Sequence, residues 1–261
     1  MNIQILSDLH ADVHPIKPIT IRPDVDAVVV AGDVCEGAVN AFAYLRRIVP
    51  MPIPILMVAG NHEYYHRFLP DELTLARAKA PTFNIHFLEN DTVVLNGVCF
   101  VGATLWTDYR IFGETNIGAS MSACAAGMND HRRIGWQKRP WLRFRPQEAA
   151  LLHHQSRAYI DATLSTGFGG PIVVISHHAV HWNSVLPKYR TDPVTAAFVS
   201  DMTAIIEAHR PTMWVHGHVH NSSDYRVANS RVAETRIVCN PHGYGSENPA
   251  FDGSLVIEVG G

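Results

Sequence analysis

Short apolar runs punctuate the chain, and each stops abruptly at polar residues. NIQIL (2–6) ends at Ser7-Asp8-Leu9-His10, and DAVVVA (26–31) ends at Gly32-Asp33. IPILMVA (53–59) ends at Gly60-Asn61-His62-Glu63, PIVVI (171–175) at Ser176-His177-His178, and TMWV (212–215) at His216-Gly217-His218-Val219-His220. Runs of this length, rich in Val and Ile, predict buried strands. VCFVGATLW (98–106), RIVCN (236–240) and SLVIEV (254–259) predict three more.

Helical periodicity fills the intervals. Residues 38–49 place Phe42, Leu45 and Val49 on one stripe, and 146–165 open with Pro146 and stop before Gly167. Residues 193–209 predict the best-formed helix. Asp192 is its cap, Pro193 its first position, and Phe198, Met202, Ile205 and Ile206 its apolar face, with an end near Arg210 because Pro211 follows. Strand–helix alternation implies an α/β domain, in which ligands sit at the carboxyl ends of the strands. Five strands deliver Asp, Asn or His to that edge. Residues 103–145 interrupt the pattern: they have no sustained period, but Trp106, Tyr109, Trp136 and Trp141 favour an ordered flap or cap over disorder. The expected organisation is one domain over 1–261 with an insertion at about 103–145.

Composition narrows the function. The chain has 261 residues, 47% hydrophobic and 17% charged, with a formal net charge of −3. No basic excess points to stable nucleic-acid binding. The four cysteines are scattered, the first residues lack a signal-peptide pattern, and no apolar run spans a membrane. Those features lead to an expectation of a cytoplasmic protein without disulfides or a membrane partner.

Alternate positions on an extended chain point the same way, so His216, His218 and His220 raise the question of a metal. The wider donor set is Asp8, His10, Asp33, Asn61, His177, His218 and His220. Seven donors exceed what one tetrahedral zinc takes. Carboxylate, carboxamide and imidazole donors without thiolate suit Mn, Fe or Zn, and a pair of such ions can clamp an in-line displacement at phosphorus.

The ordered motifs D-x-H (8–10), G-D-x-x-E (32–36), G-N-H-E (60–63), the SHH at 176–178 and G-H-x-H (217–220) resemble those of calcineurin-like metallophosphoesterases. The resemblance covers residues 1–221. It implies a four-layer α/β/β/α sandwich and a metal-dependent hydrolase of phosphate esters with two ions per chain. Asp8, His10, Asp33 and His220 would hold the first ion. Asp33, Asn61, His177 and His218 would hold the second, with Asp33 shared and a metal-bridging hydroxide as nucleophile. His62 would protonate the leaving oxygen, and Glu36 would orient His62. Where protein phosphatases of this superfamily have a phosphate-gripping arginine, this chain has Gly37. That lowers the case for a phosphoprotein substrate and leaves Arg110, Arg132, Arg133 and Arg190 as alternative phosphate binders or solvated surface residues.

The expected activity is therefore that of a phosphodiesterase on a small or nucleotide-like phosphoester. A phosphomonoesterase is the alternative, and a non-catalytic scaffold of the same fold is third, since a decayed site would have lost ligands. Glu63 is read as structural, and His178 and His216 as packed or supporting. His181 and Trp182 could meet substrate or solvent. His131, His153, His154, His209 and His242 are read as surface residues. Residues 240–245 read as a turn whose position permits a place on the site's rim.

Overall fold

A computed structural model describes residues 1–16, 18–227 and 234–260. In chain order its strands and helices are β1 (Asn2–Leu6), β2 (Ala27–Val30), α1 (Ala38–Ile48), β3 (Ile55–Met57), α2 (Leu69–Lys79), β4 (Ile85–Phe87), β5 (Asp91–Leu95) and β6 (Val98–Ala103). There follow α3 (Ile117–Gly127), α4 (Asp130–Arg133), β7 (Gly135–Lys138), β8 (Trp141–Arg143), α5 (Pro146–Ser165) and β9 (Ile172–Ser176). The last are α6 (Thr203–His209), β10 (Met213–His216), β11 (Ser223–Val227), β12 (Thr235–Cys239) and β13 (Val256–Glu258). No described helix is long and apolar enough to cross a membrane.

Two sheets carry the domain. One has the order β13-β1-β2-β3-β4 and the other β11-β12-β10-β9-β6-β5. The inner strands run parallel, and β13, β11 and β5 close three of the edges antiparallel. Because side chains alternate along a strand, each sheet has two apolar faces to bury. Ile3, Ile5, Ala27, Val29 and Leu56 of the first sheet meet Phe100, Val173, Ile175, Val215 and Val238 of the second between the sheets. On the outer side of the first sheet, Val28, Val30, Ile55 and Met57 pack with Phe42 and Leu45 of α1. On the outer side of the second, Val101, Val174, Trp214 and Ile237 pack with Ile160 of α5 and Ile205 and Ile206 of α6. The result is helix, sheet, sheet, helix. Emptying one of these buried positions, as in Phe42→Ala, would cost about 3–5 kcal/mol.

Two features depart from the expectations. The helix over 193–209 is broken: a short 3-10 turn covers Pro193–Ala197, and α6 begins only at Thr203. Asp192 does cap the turn, accepting from the Val194 amide at 2.9 Å. The intervening backbone is drawn into pairing instead. The Ser200 amide donates to Ala179 and the Met202 amide to Val180, so tertiary hydrogen bonds outcompete the helix. Residues 103–145 are ordered, as expected, and carry α3, α4 and the β7–β8 hairpin, with Trp106 and Tyr109 buried and Trp141 exposed. The helix α3, IGASMSACAAG, is built of small residues without an apolar stripe, so periodicity does not reveal it.

Candidate metal centre

The motif residues stand just past the carboxyl ends of β1, β2, β3, β9 and β10, where the chain must turn from strand to connection. The turns are tight. Asp8, His10, Asp33, His218 and His220 all have left-handed backbones, with φ of 51°, 45°, 57°, 70° and 47°. Each such non-glycine residue costs on the order of 1 kcal/mol, and clusters of them mark functional sites. Glycine is needed where the backbones approach. A Cβ on Gly60 would lie 2.1 Å from the Asp33 carboxylate, and one on Gly217 would lie 2.5 Å from that of Asp8.

These turns bring the seven donors together. Asp8, His10 and His220 form one group, and Asp33, His177 and His218 another, with donor atoms within 4.8 Å of one another in each. His10 Nε2 lies 3.0 Å from His220 Nε2, and His220 Nε2 lies 3.4 Å from Asp8 Oδ1. His177 Nε2 lies 3.0 Å from both Asn61 Oδ1 and His218 Nδ1. Asp33 Oδ2 lies between the groups, 3.8 Å from His10 and 3.5 Å from His177. His62 joins His10 and Asp33 in a third group.

The donors' chemistry fits a metal. His177 Nδ1 donates to the Ala31 carbonyl at 2.7 Å, which leaves a lone pair on Nε2 of the neutral ring. Asn61 turns its amide nitrogen to Tyr65 Oη and Asp130, leaving Oδ1 as an acceptor. In that neutral form the two lone pairs face each other, so either a proton on Nε2 or a metal ion has to stand between them. On the other side, His220 Nδ1 is committed to Glu247 at 2.8 Å, which likewise leaves Nε2 facing Asp8 and His10. Buried acceptors that converge in this way require a cation. Charge tells the same story. Burial opposes protonation of His177, yet Asp33 beside it lifts the ring to about 9. Burial likewise opposes it at His220, but Asp8 and Glu247 lift that ring to about 10. Asp33 is itself held well below the usual carboxylate range, since His177 and His62 outweigh its desolvation.

The expected role of Glu36 needs correcting. Its carboxylate lies 2.9 Å from His66 Nδ1 and 3.7 Å from Arg133. His62 Nδ1 has no hydrogen-bond partner among the described residues, and Nε2 meets Tyr244 Oη at 3.0 Å. The His62 ring stacks on Tyr65 with centroids 4.3 Å apart, and its backbone amide donates to Asp33. Tyr244 and Tyr65, not Glu36, therefore hold His62. Glu63 is the structural carboxylate expected: it accepts from the amides of Asp33, Val34 and Gly60 and so fixes two of the turns. Burial, with Asp33's charge, pushes its carboxyl up to about 7.

Several other side chains fall into place. His216 Nε2 meets Ser184 Oγ at 2.7 Å, and His178 Nδ1 meets the Thr104 carbonyl at 3.1 Å; both rings are buried away from the donor groups' centre. His131, His153 and His242 are buried too, against the surface reading, each bonded to a backbone carbonyl: those of Phe144, Trp106 and Gly243. His154 is exposed and His209 pairs with Asp161. His181 caps a 3-10 turn, and Trp182 packs edge-on to Phe112.

A cavity of about 360 Å³ opens beside the cluster, lined by Asp33, Asn61, His62, His218 and His220 on one side. Its outer walls come from the end of α3, the 185–198 loop and Tyr244. Tyr244 and Glu247 place the 240–247 turn on the rim. No arginine or lysine lines the cavity among the described residues. Arg110 pairs with Glu114, Arg132 donates to the Ala126 carbonyl, and Arg190 ties the carbonyls of Val185 and Trp182. Arg132 and Arg133 line a separate hollow with Arg67 and Arg143. Asp130, Tyr65, Tyr244 and Glu247 are the residues that sequence reasoning missed. The only signal was the turn-forming NPHGYG stretch for Tyr244.

Comparison with known proteins agrees with this architecture. The family model described as calcineurin-like phosphoesterase matches residues 1–222. An uncharacterized protein of Acanthamoeba polyphaga mimivirus is 25% identical over 231 residues, covering 83% of this chain and 77% of that one. The crystal structure of phosphopantetheinyl hydrolase from Mycobacterium tuberculosis superposes with a TM-score of 0.67 at 16% identity, over 94% of this chain and 90% of that chain. That likeness concerns the fold, and the four-layer sandwich expected from the motifs is borne out.

Proposed function

The chain belongs to the calcineurin-like phosphoesterase family and is a metal-dependent phosphoric ester hydrolase; from that premise we propose that it is a phosphodiesterase acting on a small phosphoester through two metal ions. Asp8, His10, Asp33 and His220 would hold one ion and Asp33, Asn61, His177 and His218 the other, with Asp33 common to both sets. The observation that carries this reading is the convergence of buried acceptors on two groups joined by the Asp33 carboxylate. Mn, Fe or Zn, which this donor set suits, would supply Lewis acidity there when bound.

The protein's own groups supply the rest. His62, bonded at Nε2 to the Tyr244 hydroxyl and flattened against Tyr65, holds the proton for the leaving oxygen. Glu63 and the glycines at 32, 60 and 217 keep the ligand turns rigid, so the donors need no reorganisation. The preference for a diester rests on the lining of the cavity. A monoester dianion gains more than a diester from a cationic grip beyond the metals, and no arginine or lysine lines the cavity among the described residues, whereas a diester carries a single charge.

The test is a panel of p-nitrophenyl phosphate, its bis-ester, a phosphonate ester and cyclic nucleotides, assayed after metal stripping and reloading with Mn²⁺. The bis-ester should be hydrolysed best. Preference for the monoester would make the protein a phosphomonoesterase, and metal uptake without turnover of any ester would make it a scaffold.

A further inference from the structure

The cavity runs outward from the cluster into an apolar limb. It starts at Phe198, whose ring stacks on His218 with centroids 4.5 Å apart, and at Val219, which stands between two of the donors. Val185, Val194, Leu186 and Tyr189 line the same cavity. Leu186, Tyr189 and Tyr244 are large apolar side chains left 38%, 46% and 37% exposed around this one opening. Exposed apolar surface gathered at a concave site marks ligand contact. The ionisable groups beyond the cluster that line it are Asp192 and Glu247, both acidic. Two cations stand in this segment without lining the cavity: Lys188 holds its ammonium 4.7 Å from the centre of the Tyr189 ring, and Arg190 spends its guanidinium on the carbonyls of Val185 and Trp182.

We propose that the substrate is a phosphodiester whose one esterifying group is an uncharged apolar arm, seated along Leu186, Val194 and Tyr189, and that polyanionic esters are disfavoured. The proposal rests on the phosphodiesterase reading for the position of the phosphate and adds what lies next to it. An alkyl or aryl arm gains by covering the exposed apolar wall. A second negative group would instead face the carboxylates of Asp192 and Glu247, with no arginine or lysine among the residues that line the cavity.

Binding to the Mn²⁺-loaded protein by calorimetry separates the two readings. Dimethyl phosphate, methyl hexyl phosphate and methyl 5-carboxypentyl phosphate present the same singly charged diester with a short arm, an apolar arm and an acidic arm. The hexyl ester should bind on the order of 10-fold or more tighter than the dimethyl ester, because part of its chain leaves water. The carboxypentyl ester should lose that gain. Leu186→Ser and Val194→Ser should each draw the hexyl-to-dimethyl ratio toward one. Equal binding of all three esters, tightest binding of the carboxypentyl ester, or a ratio untouched by both substitutions would overturn the apolar limb. Hexyl selectivity in a protein that turns over no diester would overturn the phosphodiesterase reading and leave the limb standing.

Discussion

The two corners of the donor cluster are built differently. Asn61, His177 and His218 lie on the buried side of Asp33, where His177 is fully inaccessible and each partner is itself fixed. Asn61 is held by Asp130 and Tyr65, which also bond each other at 2.8 Å, and His177 is held by the Ala31 carbonyl. In the other corner Asp8 and His10 are just as buried, and the difference lies at His220. Asp8 is tied down by the His218 amide, but His220 is partly exposed and its partner Glu247 is half exposed. Groups that orient metal ligands set affinity as much as the ligands do. The corner of Asn61, His177 and His218 is therefore expected to bind its ion more tightly, and the corner with His220 to load last and be stripped first.

Asp33 belongs to both corners, so its loss should erase the difference. Asp33→Asn is expected to lose metal and activity together, with turnover down by about 10³-fold or more. Metal analysis showing two ions retained per chain would sink the bridging role. His62 touches both corners but is assigned to the proton, not to a metal. His62→Ala should cut kcat by about 10²–10⁴-fold while metal content stays near that of the parent protein. Unchanged turnover would remove it from the chemistry.

The contrast sharpens with the supporting carboxylates. Asp130→Asn should weaken the tighter of the two metal affinities by about 10–100-fold, since it frees the Asn61 amide to rotate. Glu247→Gln should weaken only the looser one, by about 10-fold or less, because solvent already competes for that contact. Stepwise metal titration of each variant distinguishes the sites. If Glu247→Gln harms the tight site and Asp130→Asn the loose one, the assignment of the corners is reversed.

What the sequence revealed and hid follows the same divide. The seven donors were legible because each follows an apolar run at a strand end, and parallel strands must present those ends at one edge. The sandwich was legible for the same reason. Glu36 misled because it shares a motif with Asp33. Its amide bonds Asp12, and Gly37, at φ 86°, turns the chain into α1, leaving the carboxylate with His66. Asp130, Tyr244 and Glu247 lie in segments without period, and only the tertiary fold brings them to the cluster. The surface reading of His131, His153 and His242 failed because each ring found a backbone carbonyl indoors, which composition cannot foresee. The break at 199–202 was hidden likewise, since the connection after β9, at Ala179 and Val180, supplies the competing hydrogen bonds.

The smallest effect tests the corners by pH. In the metal-free chain His177 rises to about 9 and His220 to about 10, both above the unfolded value of 6.5. A base whose folded pKa is raised binds more protons folded than unfolded, so its stabilisation is complete below about 6.5 and fades as pH climbs through the folded value. Metal-stripped protein should therefore lose stability between about pH 6.5 and 10, and the metal-loaded protein should not show that loss, because the ions replace the protons. The same exchange means that metal binding at pH 7.5 releases about two protons per chain, readable as a heat that depends on the buffer's ionisation enthalpy. Glu247→Gln removes a charge that raises His220 and leaves His177 untouched. It should lower the upper end of the stability loss and reduce the proton release, while Asp130→Asn should do neither. A buffer-independent heat of binding would show that the converging imidazoles are already neutral, and the acceptor geometry alone would then have to account for the metal.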